Sequence, residues 1–236
     1  MSDAIDAMKA KKVLMVCMPL HDGKLCWETW FQLREEEKLF ELLNLDWRID
    51  IIVLAGCSLI TRARNEAVEH AFERGADALM WIDGDMNWSS GAIARLLAMD
   101  VDVVGAGVPL KQAEIKWNIG WLDDRTPNAK GLIEVKTLGT GFLFTKKRVY
   151  EIMRERIQET SENVYERPDG KGRGFAYFSA PGSWGEDTYF CHLWRQLGGK
   201  VWVDPAITMQ HVIAPSWSVK AKLADWLDEQ KQKEAA

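Results

Sequence analysis

Short apolar runs alternate with amphipathic segments through the first 106 residues of the chain. The apolar runs predict four strands, at Val13–Met18, Ile49–Ala55, Leu79–Ile82 and Val101–Ala106, of which the first and third read as buried. The segments between them have apolar residues at helical spacing, and predict helices over Trp27–Leu43, Leu59–Arg74 and Gly91–Met99, the last with Ser89 as its N-cap. Such alternation is typical of an α/β architecture with a mainly parallel sheet.

The second half of the chain changes character. Residues 111–136 contain a Thr-Pro-Asn turn and indicate a hairpin or an insertion, and Thr137–Phe144 reads as a strand broken by glycines. Further predicted elements are a helix from Lys146 to about Thr160, a helix over Trp184–Gly198, strands at Val201–Val203 and Ile207–Val212, and a C-terminal helix over Val219–Ala236. No repeat and no interdomain linker is visible, so a single domain is expected over residues 1–236.

Composition narrows the class of protein. The 236 residues are enough to bury a core without disulfides, and 47% hydrophobic with 28% charged residues is ordinary for a soluble globular protein. The net charge of −5 argues against nonspecific nucleic-acid binding. Cys17 and Cys191 lie in apolar runs, which indicates buried free thiols. Without a signal-like start or a run long enough for a membrane span, the sequence predicts a cytoplasmic protein.

The stretch ALMWIDGDMNW, Ala78–Trp88, contains the strongest candidate for chemistry. Asp83 and Asp85 follow directly on an apolar strand and share one face, and Gly84 between them permits a turn. In α/β sheets ligands lie beyond the carboxyl ends of the strands. Two hard oxygen donors there suit a divalent cation that carries a phosphate, although Asp-Gly-Asp alone also occurs in plain surface turns.

Four segments, taken in their order and spacing, resemble the metal-dependent glycosyltransferases of the GT-A fold. They are SLITRARN (Ser58–Asn65), WIDGDMNW with the DXD element, TLGTGFLFTKKRV (Thr137–Val149), and Gly182–Val212 with a Glu-Asp element and a late histidine. The resemblance runs from about Val13 to Val212. It implies a GT-A-like Rossmann-type sandwich that transfers a sugar from a nucleotide-diphosphate sugar to an acceptor hydroxyl.

The resemblance also implies a metal site. Asp85 would touch the cation directly, Asp83 would reach the ribose or a metal-bound water, and His211 would complete the ligand set. A carboxylate–imidazole set suits Mn²⁺ better than Mg²⁺, and the cation would stabilise the charge on the leaving diphosphate. A histidine such as His211, taken alone, is more often structural, and it is the DXD element together with its position after Val-Asp-Pro that makes it a candidate ligand.

The Glu-Asp element opens a predicted helix, where the helix dipole favours acids in any case. The resemblance places it on the acceptor side. Asp187 would be the base that takes the proton of the acceptor hydroxyl, as in inverting enzymes, and Glu186 would bind the acceptor or orient the site.

Other residues are candidates for donor and acceptor contacts. Arg64 and Asn65 match an Arg-Asn step that meets the nucleotide or its diphosphate, although a solvated helix end explains them as well. Gly141 allows close approach to a sugar, or forms a strand bulge. Trp184 has glycine and serine neighbours and is the candidate for stacking on the acceptor.

The overall expectation is a nucleotide-sugar-binding half at residues 1–110, an acceptor-side half at 111–212 and a helical tail at 213–236. No stem, anchor or added domain is recognisable, which suits a bacterial or phage-type cytosolic enzyme acting on a glycan, a protein or a hydroxymethylated base in DNA. Two alternatives stay open. One is a nucleotidyltransferase, against which the single glycine in the loop MPLHDGKLCW argues, and the other is a catalytically silent carbohydrate-binding protein of the same fold.

Residues 161–183 are rich in glycine and polar residues and contain Arg167, Lys171 and Arg173. Because long connections in compact domains are usually functional or disordered, this segment is predicted to be a mobile basic lid over the diphosphate, or else a tolerated surface loop.

Overall fold

The structure is a computed structural model that describes residues 11–112, 114–160, 163–214 and 217–234. The helices in these ranges are α1 (Trp27–Leu42), α2 (Ile60–Glu73), α3 (Ala92–Ala98), α4 (Lys147–Arg156), α5 (Glu186–Gln196) and α6 (Leu223–Glu234). The strands are β1 (Lys12–Leu20), β2 (Trp47–Ala55), β3 (Ala78–Ile82), β4 (Met86–Trp88), β5 (Val103–Gly105), β6 (Ile119–Trp121), β7 (Ile133–Leu138), β8 (Phe142–Lys146), β9 (Val164–Glu166), β10 (Arg173–Phe175), β11 (Val201–Val203), β12 (Thr208–Ala214) and β13 (Trp217–Lys222).

The central sheet has eight strands in the order β2-β1-β3-β8-β5-β11-β7-β6. The pairs β2–β1, β1–β3 and β5–β11 are parallel, and the other four neighbouring pairs are antiparallel. Only β8 and β7 therefore run against the remaining six strands. Since β8 lies between β3 and β5, the predicted halves of the chain are interleaved in one sheet.

Helices cover both faces of this sheet, because the buried strands present apolar side chains to each side. In β1, Met15 and Cys17 pack on one face with residues of α2, α4 and α5, whereas Leu14, Val16 and Met18 pack on the other face with residues of α1 and α3. A buried hydrogen bond from Trp81 Nε1 to the Tyr150 hydroxyl, at 2.9 Å, ties β3 to α4. The result is a three-layer α/β sandwich with the core on both sides of the sheet.

A second sheet, β13-β12-β4, lies at the end of β3. Both of its pairs are antiparallel, and β12 brings His211 opposite Met86, immediately after the Asp-Gly-Asp turn. The tertiary structure thereby joins the late histidine to the Asp-Gly-Asp turn.

The predicted strands and helices of the first half are confirmed, with bounds that shift by a few residues. One detail is wrong: α3 is preceded by Gly91 at φ 79°, and Ser89 contributes only its backbone carbonyl, which accepts a bond from Ala92 N at 3.2 Å. A left-handed residue leads into this helix, so the capping signal in the sequence was misread.

Two predictions for the second half are also wrong. The stretch Thr137–Phe144 is not one broken strand but the end of β7 and the start of β8, which lie apart in the sheet. The C-terminal helix begins only at Leu223, because Trp217–Lys222 pairs with β12 as β13. Helical spacing of Leu223, Trp226 and Leu227 gave the helix correctly but not its start.

Residues 163–183 are not a loose basic loop. They contain the hairpin β9–β10, which is docked on α2. Arg167 donates to Glu73 at 2.5 Å and to Asp169 at 2.6 Å, and Lys171 pairs with Glu73 at 3.1 Å. These basic side chains face the far end of α2 rather than its first turn, so the predicted lid is not supported. Residues 161 and 162 lie outside the described ranges.

Two predictions made from the cysteines and from the hydropathy of the sequence can be compared with the structure. Cys17 and Cys191 are buried free thiols, as expected, and burial raises the pKa of Cys191 to about 12. Within the described ranges, no helix has both the length and the apolar character that crossing a membrane requires.

Candidate functional site

A cleft of about 540 Å³ opens where β1 and β3 end and α2 begins. This is the carboxyl edge of the parallel strands, where α/β folds place their ligands. Its polar lining includes both acids of the Asp-Gly-Asp turn, together with Arg64, Lys111 and Glu186. The structure thus brings four predicted site residues and one unpredicted lysine to one cleft.

The Asp-Gly-Asp turn is held from behind by the start of α1. Cys26 N donates to the Gly84 carbonyl at 2.8 Å, and the hydroxyl of Thr29 lies 3.1 Å from the same carbonyl and 2.6 Å from that of Met86. Gly84 has little space around it, because a Cβ there would lie 2.5 Å from a methyl carbon of Leu20 and 3.0 Å from the backbone carbonyl oxygen of Lys24. Close packing, rather than an unusual backbone angle, therefore favours glycine at this position.

Asp85, which lines the cleft, is in contact with His211 and Lys111. His211 Nε2 lies 3.3 Å from Asp85 Oδ2, and Lys111 Nζ lies 2.6 Å from the same oxygen. The other imidazole nitrogen, Nδ1, is 2.9 Å from the carbonyl oxygen of Pro109. Since a carbonyl can only accept, Nδ1 carries the proton, and in the neutral ring the lone pair of Nε2 faces the carboxylate.

The charge state of Asp85 follows from opposing effects. Burial raises the pKa of its carboxyl, but the ammonium of Lys111 and the protonated form of His211 outweigh burial, so the pKa is lowered overall. Asp85 is therefore ionised at neutral pH and available as a hard oxygen donor.

These two residues fit a divalent cation. A backbone carbonyl on Nδ1 is the arrangement that orients histidine ligands toward metals. Two ligand atoms side by side on one such ion lie about 3 Å apart, given metal–ligand distances of about 2.1 Å, and Nε2 and Oδ2 are 3.3 Å apart. A lone pair aimed at a carboxylate is unfavourable unless a proton or a metal ion lies between them.

Asp83 does not join this pair as a third ligand. Among the described residues, three potential ligand atoms lie within 4.8 Å of one another only at His70, Glu73 and Asp169. That group is exposed, and its acids are already paired with Arg167 and Lys171. The prediction that Asp83 ligates the metal directly is thus not supported by the geometry, whereas a contact to ribose or to a metal-bound water stays a prediction.

Asp83 is instead bound by Arg64. The Arg64 side chain is 3% exposed and places Nη2 3.2 Å from Asp83 Oδ1 and Nε 3.4 Å from Glu186 Oε1. Its guanidinium carbon lies 5.4 Å from the ring centre of Trp81 on β3. The buried guanidinium of Arg64 therefore links the Asp-Gly-Asp turn to the Glu-Asp element, which lie far apart in the sequence.

The neighbouring Asn65 points elsewhere. Its Nδ2 donates to the Phe178 carbonyl at 2.8 Å, and its Oδ1 accepts from Phe178 N at 2.9 Å. The structure thus gives Asn65 a place in anchoring the segment after β10. Its contact with a nucleotide stays a prediction that the geometry does not favour.

Gly141 is buried beside Asp83 rather than open to an acceptor. Its carbonyl accepts a bond from Asp83 N at 3.1 Å, and a Cβ at this position would lie 3.2 Å from Asp83 Oδ2. The missing side chain of Gly141 lets its backbone lie close to the Asp-Gly-Asp turn. Contact with a sugar stays a prediction.

The two acids of the Glu-Asp element face different partners. Glu186 pairs with Arg64, whereas Asp187 accepts from Asn118 Nδ2 at 3.1 Å and from Thr188 N at 2.7 Å. Trp184 precedes them with 37% of its surface exposed, and its ring lies 4.8 Å from that of His192. Trp184 thus remains accessible at this end of α5.

Sequence reasoning missed Lys111, Asn118 and Thr29. Lys111 and Asn118 lie in the segment that was read only as a hairpin or insertion, and Thr29 lies inside a predicted helix. No motif marks any of them. Each becomes relevant through a contact with Asp85, Asp187 or the Gly84 carbonyl, which only the folded chain makes.

No protein-family model matches the chain, and no curated protein matches its sequence. Among solved structures, A197 from STIV is similar over 86% of this chain and 86% of its own, at 19% identity and a TM-score of 0.55. GalNAc-T7 with UDP, GalNAc and Mn²⁺ is similar over 88% of this chain and 45% of its own (12% identity, TM-score 0.48). S. aureus TarS 1-349 in complex with UDP-GlcNAc is similar over 81% of this chain and 55% of its own (12% identity, TM-score 0.46).

At these identities, the likeness to A197 shows the fold alone. The fold class predicted from the sequence, a GT-A-like Rossmann-type α/β sandwich in a single domain, is confirmed by the architecture.

Proposed function

We propose that this protein is a metal-dependent glycosyltransferase that moves a sugar from a nucleotide-diphosphate sugar to an acceptor hydroxyl. The observation that carries the proposal is the Asp85–His211 pair, with Nδ1 of His211 bound to the Pro109 carbonyl, at the carboxyl edge of the parallel strands. The proposal rests on this geometry and not on the ligands of GalNAc-T7 and TarS, to which the chain is similar only at TM-scores below 0.5.

The donor would lie in the cleft with its diphosphate near Asp85. Asp85 and His211 would hold Mn²⁺ or Mg²⁺, with Mn²⁺ favoured because an imidazole is among the ligands. When bound, the cation supplies Lewis-acid stabilisation of the leaving diphosphate. Lys111 and Arg64 add positive charge to the same cleft. Asp83, bound to Arg64, is left with Oδ2 for a ribose hydroxyl or a water.

Asp187 is the better candidate for the base. Glu186 is occupied by the guanidinium of Arg64, whereas the hydrogen bonds that Asp187 accepts from the described residues come from neutral N–H groups, which leaves lone pairs for a hydroxyl. The acceptor oxygen would bond to the anomeric carbon, its proton would pass to Asp187, and the diphosphate would leave with the electrons of the broken C–O bond. Such displacement inverts the anomeric centre. Trp184 would stack on the acceptor, which can be a glycan, a protein or a hydroxymethylated base in DNA.

Calorimetric titration tests the proposal against its two alternatives. UDP-, GDP- and dTDP-sugars, the four nucleoside triphosphates and free glycans are titrated with Mn²⁺ and with EDTA, and slow hydrolysis of each nucleotide sugar and triphosphate is followed in parallel. Metal-dependent binding and hydrolysis of a nucleotide sugar is the expected result. Release of pyrophosphate from a triphosphate instead would identify a nucleotidyltransferase. Binding of glycans alone, without nucleotide, would identify a carbohydrate-binding protein.

A further inference from the structure

We infer that Lys111 is a displaceable counter-ion of the metal site: its ammonium holds the place of a divalent cation at Asp85, leaves when the cation enters, and then pairs with the diphosphate of the donor. The inference rests on the proposed function, because it takes Asp85 and His211 as the metal-binding pair. It adds an order to the events in the cleft and assigns a role to a residue that the sequence motifs do not include.

The positions of three atoms support this inference. Lys111 Nζ and His211 Nε2 approach the same oxygen, Oδ2 of Asp85, at 2.6 and 3.3 Å. A cation held between Oδ2 and Nε2 would face an ammonium on the same carboxylate oxygen. Two positive charges that share one carboxylate oxygen lie close together and repel strongly inside a half-buried cleft. The ammonium and the cation therefore exclude each other.

Lys111 can move, whereas Arg64, the buried cation of the cleft, is held in place. The Lys111 side chain is 46% exposed and has a single ion pair in the described part of the chain, to Asp85. Arg64, by contrast, is 3% exposed and bridges two carboxylates. An exposed lysine pair is weak and easily exchanged, and the flexible stem lets the ammonium swing without backbone movement.

The released ammonium has a new partner close by. Lys111 lines the same cleft as Arg64 and both acids of the Asp-Gly-Asp turn, so it stays within the space that the diphosphate would occupy. A compact ammonium suits phosphate oxygens. A metal ion alone therefore binds weakly, because it must displace the ammonium of Lys111 from Asp85. When the diphosphate is also present, it binds the displaced ammonium, so metal and diphosphate each raise the affinity of the protein for the other.

The variant Lys111→Met tests this with two measurements that should move in opposite directions. Affinity for Mn²⁺ alone, measured from the EPR signal of free Mn²⁺, should rise about tenfold because the competing ammonium is gone. Affinity for UDP at saturating Mn²⁺, measured by calorimetry, should fall about tenfold because the diphosphate loses a partner. A thermal melt confirms that the variant is folded.

Lys116→Met is the matched control. Lys116 lies on the same segment and pairs with Glu114 at 3.2 Å, outside the cleft. Both affinities should stay within about twofold of wild type, since exposed pairs of this kind contribute little.

Three results would overturn the inference. Equal Mn²⁺ affinity in wild type and Lys111→Met would mean that the ammonium does not compete with metal, and would leave the proposed function intact. Loss of both affinities together would mean that Lys111 only supports the local structure. Absence of Mn²⁺ binding in both proteins, with donor hydrolysis unchanged in EDTA, would overturn the inference and the metal dependence of the proposed function together.

Discussion

Arg64 offers the most direct test of how the site is assembled, because its role can be measured without knowing the substrate. Its guanidinium binds Asp83 at 3.2 Å and Glu186 at 3.4 Å, and the side chain is 3% exposed. Replacing it by methionine keeps a similar length but leaves two carboxylates without their shared cation. We expect the Arg64→Met protein to be less stable, and to bind a nucleotide diphosphate weakly because those carboxylates then repel it.

The expected loss of stability is moderate. Removing one partner of a fully buried ion pair costs roughly 3–5 kcal/mol. Here Asp83 is 36% and Glu186 19% exposed, so water can solvate the carboxylates left behind. The Nη1 atom of Arg64 is also buried without a hydrogen-bond partner in the described part of the chain, which already lowers the net value of the bridge. We therefore expect a loss of about 2 kcal/mol, or about 4–8 °C in Tm for a domain of this size.

Thermal unfolding of the wild type and four variants measures this contribution. Arg64→Met is compared with Glu186→Gln and with the double variant, and a coupling of about 0.5–2 kcal/mol is expected between two residues in contact. Arg62→Met is the matched control on the same helix, since Arg62 forms an exposed pair with Glu66 and should change stability by less than about 0.5 kcal/mol. Equal stability of the two arginine variants, or additive effects of Arg64 and Glu186, would refute the bridge.

Three further predictions concern chemistry and pH. Asp85→Asn should lower donor hydrolysis by about 10²-fold or more, since the metal loses its charged ligand, and full wild-type activity in EDTA would contradict this. Asp187→Asn should keep donor affinity but lose transfer to the acceptor; a variant that binds donor weakly and turns over normally would move Asp187 to the donor site. Burial raises the pKa of Glu36 despite its bonds from Trp88 and Gly91, so stability should fall as pH rises from about 4.5 through that raised pKa. In urea titrations, Glu36→Gln should therefore be more stable than wild type at pH 8 and differ little from it at pH 4. An equal difference in the free energy of unfolding at both pH values would contradict the raised pKa of Glu36.

Several features of the fold follow from local sequence. The runs that became β1 and β3 are apolar almost throughout and are buried on both faces of the sheet, so their pattern alone predicts buried parallel strands. The acids at the end of β3 are recognisable because strand ends in α/β folds are where ligands bind. Trp81 lies inside such a run, which indicates a core position, and it is fully buried.

The start of the C-terminal helix was missed for a physical reason. Residues Trp217–Lys222 form β13 because β12 offers a strand edge to pair with, and nothing in their own sequence records that edge. The hairpin β9–β10 was missed in the same way, because the acids of α2 that hold it, Glu69 and Glu73, lie far away in the sequence.

The sequence by itself determined the α/β class, the carboxylates at the end of β3 and the candidate histidine. Only the tertiary structure decided which of these residues meet. The pairing of β12 with β4 places His211 beside Asp85. Asp83 pairs with Arg64 instead, and Lys111 contacts Oδ2 of Asp85, the oxygen that would bind a metal. Local spacing encodes which face a side chain takes on its own element, whereas contacts between distant elements depend on how strands pair and helices pack across the whole sheet.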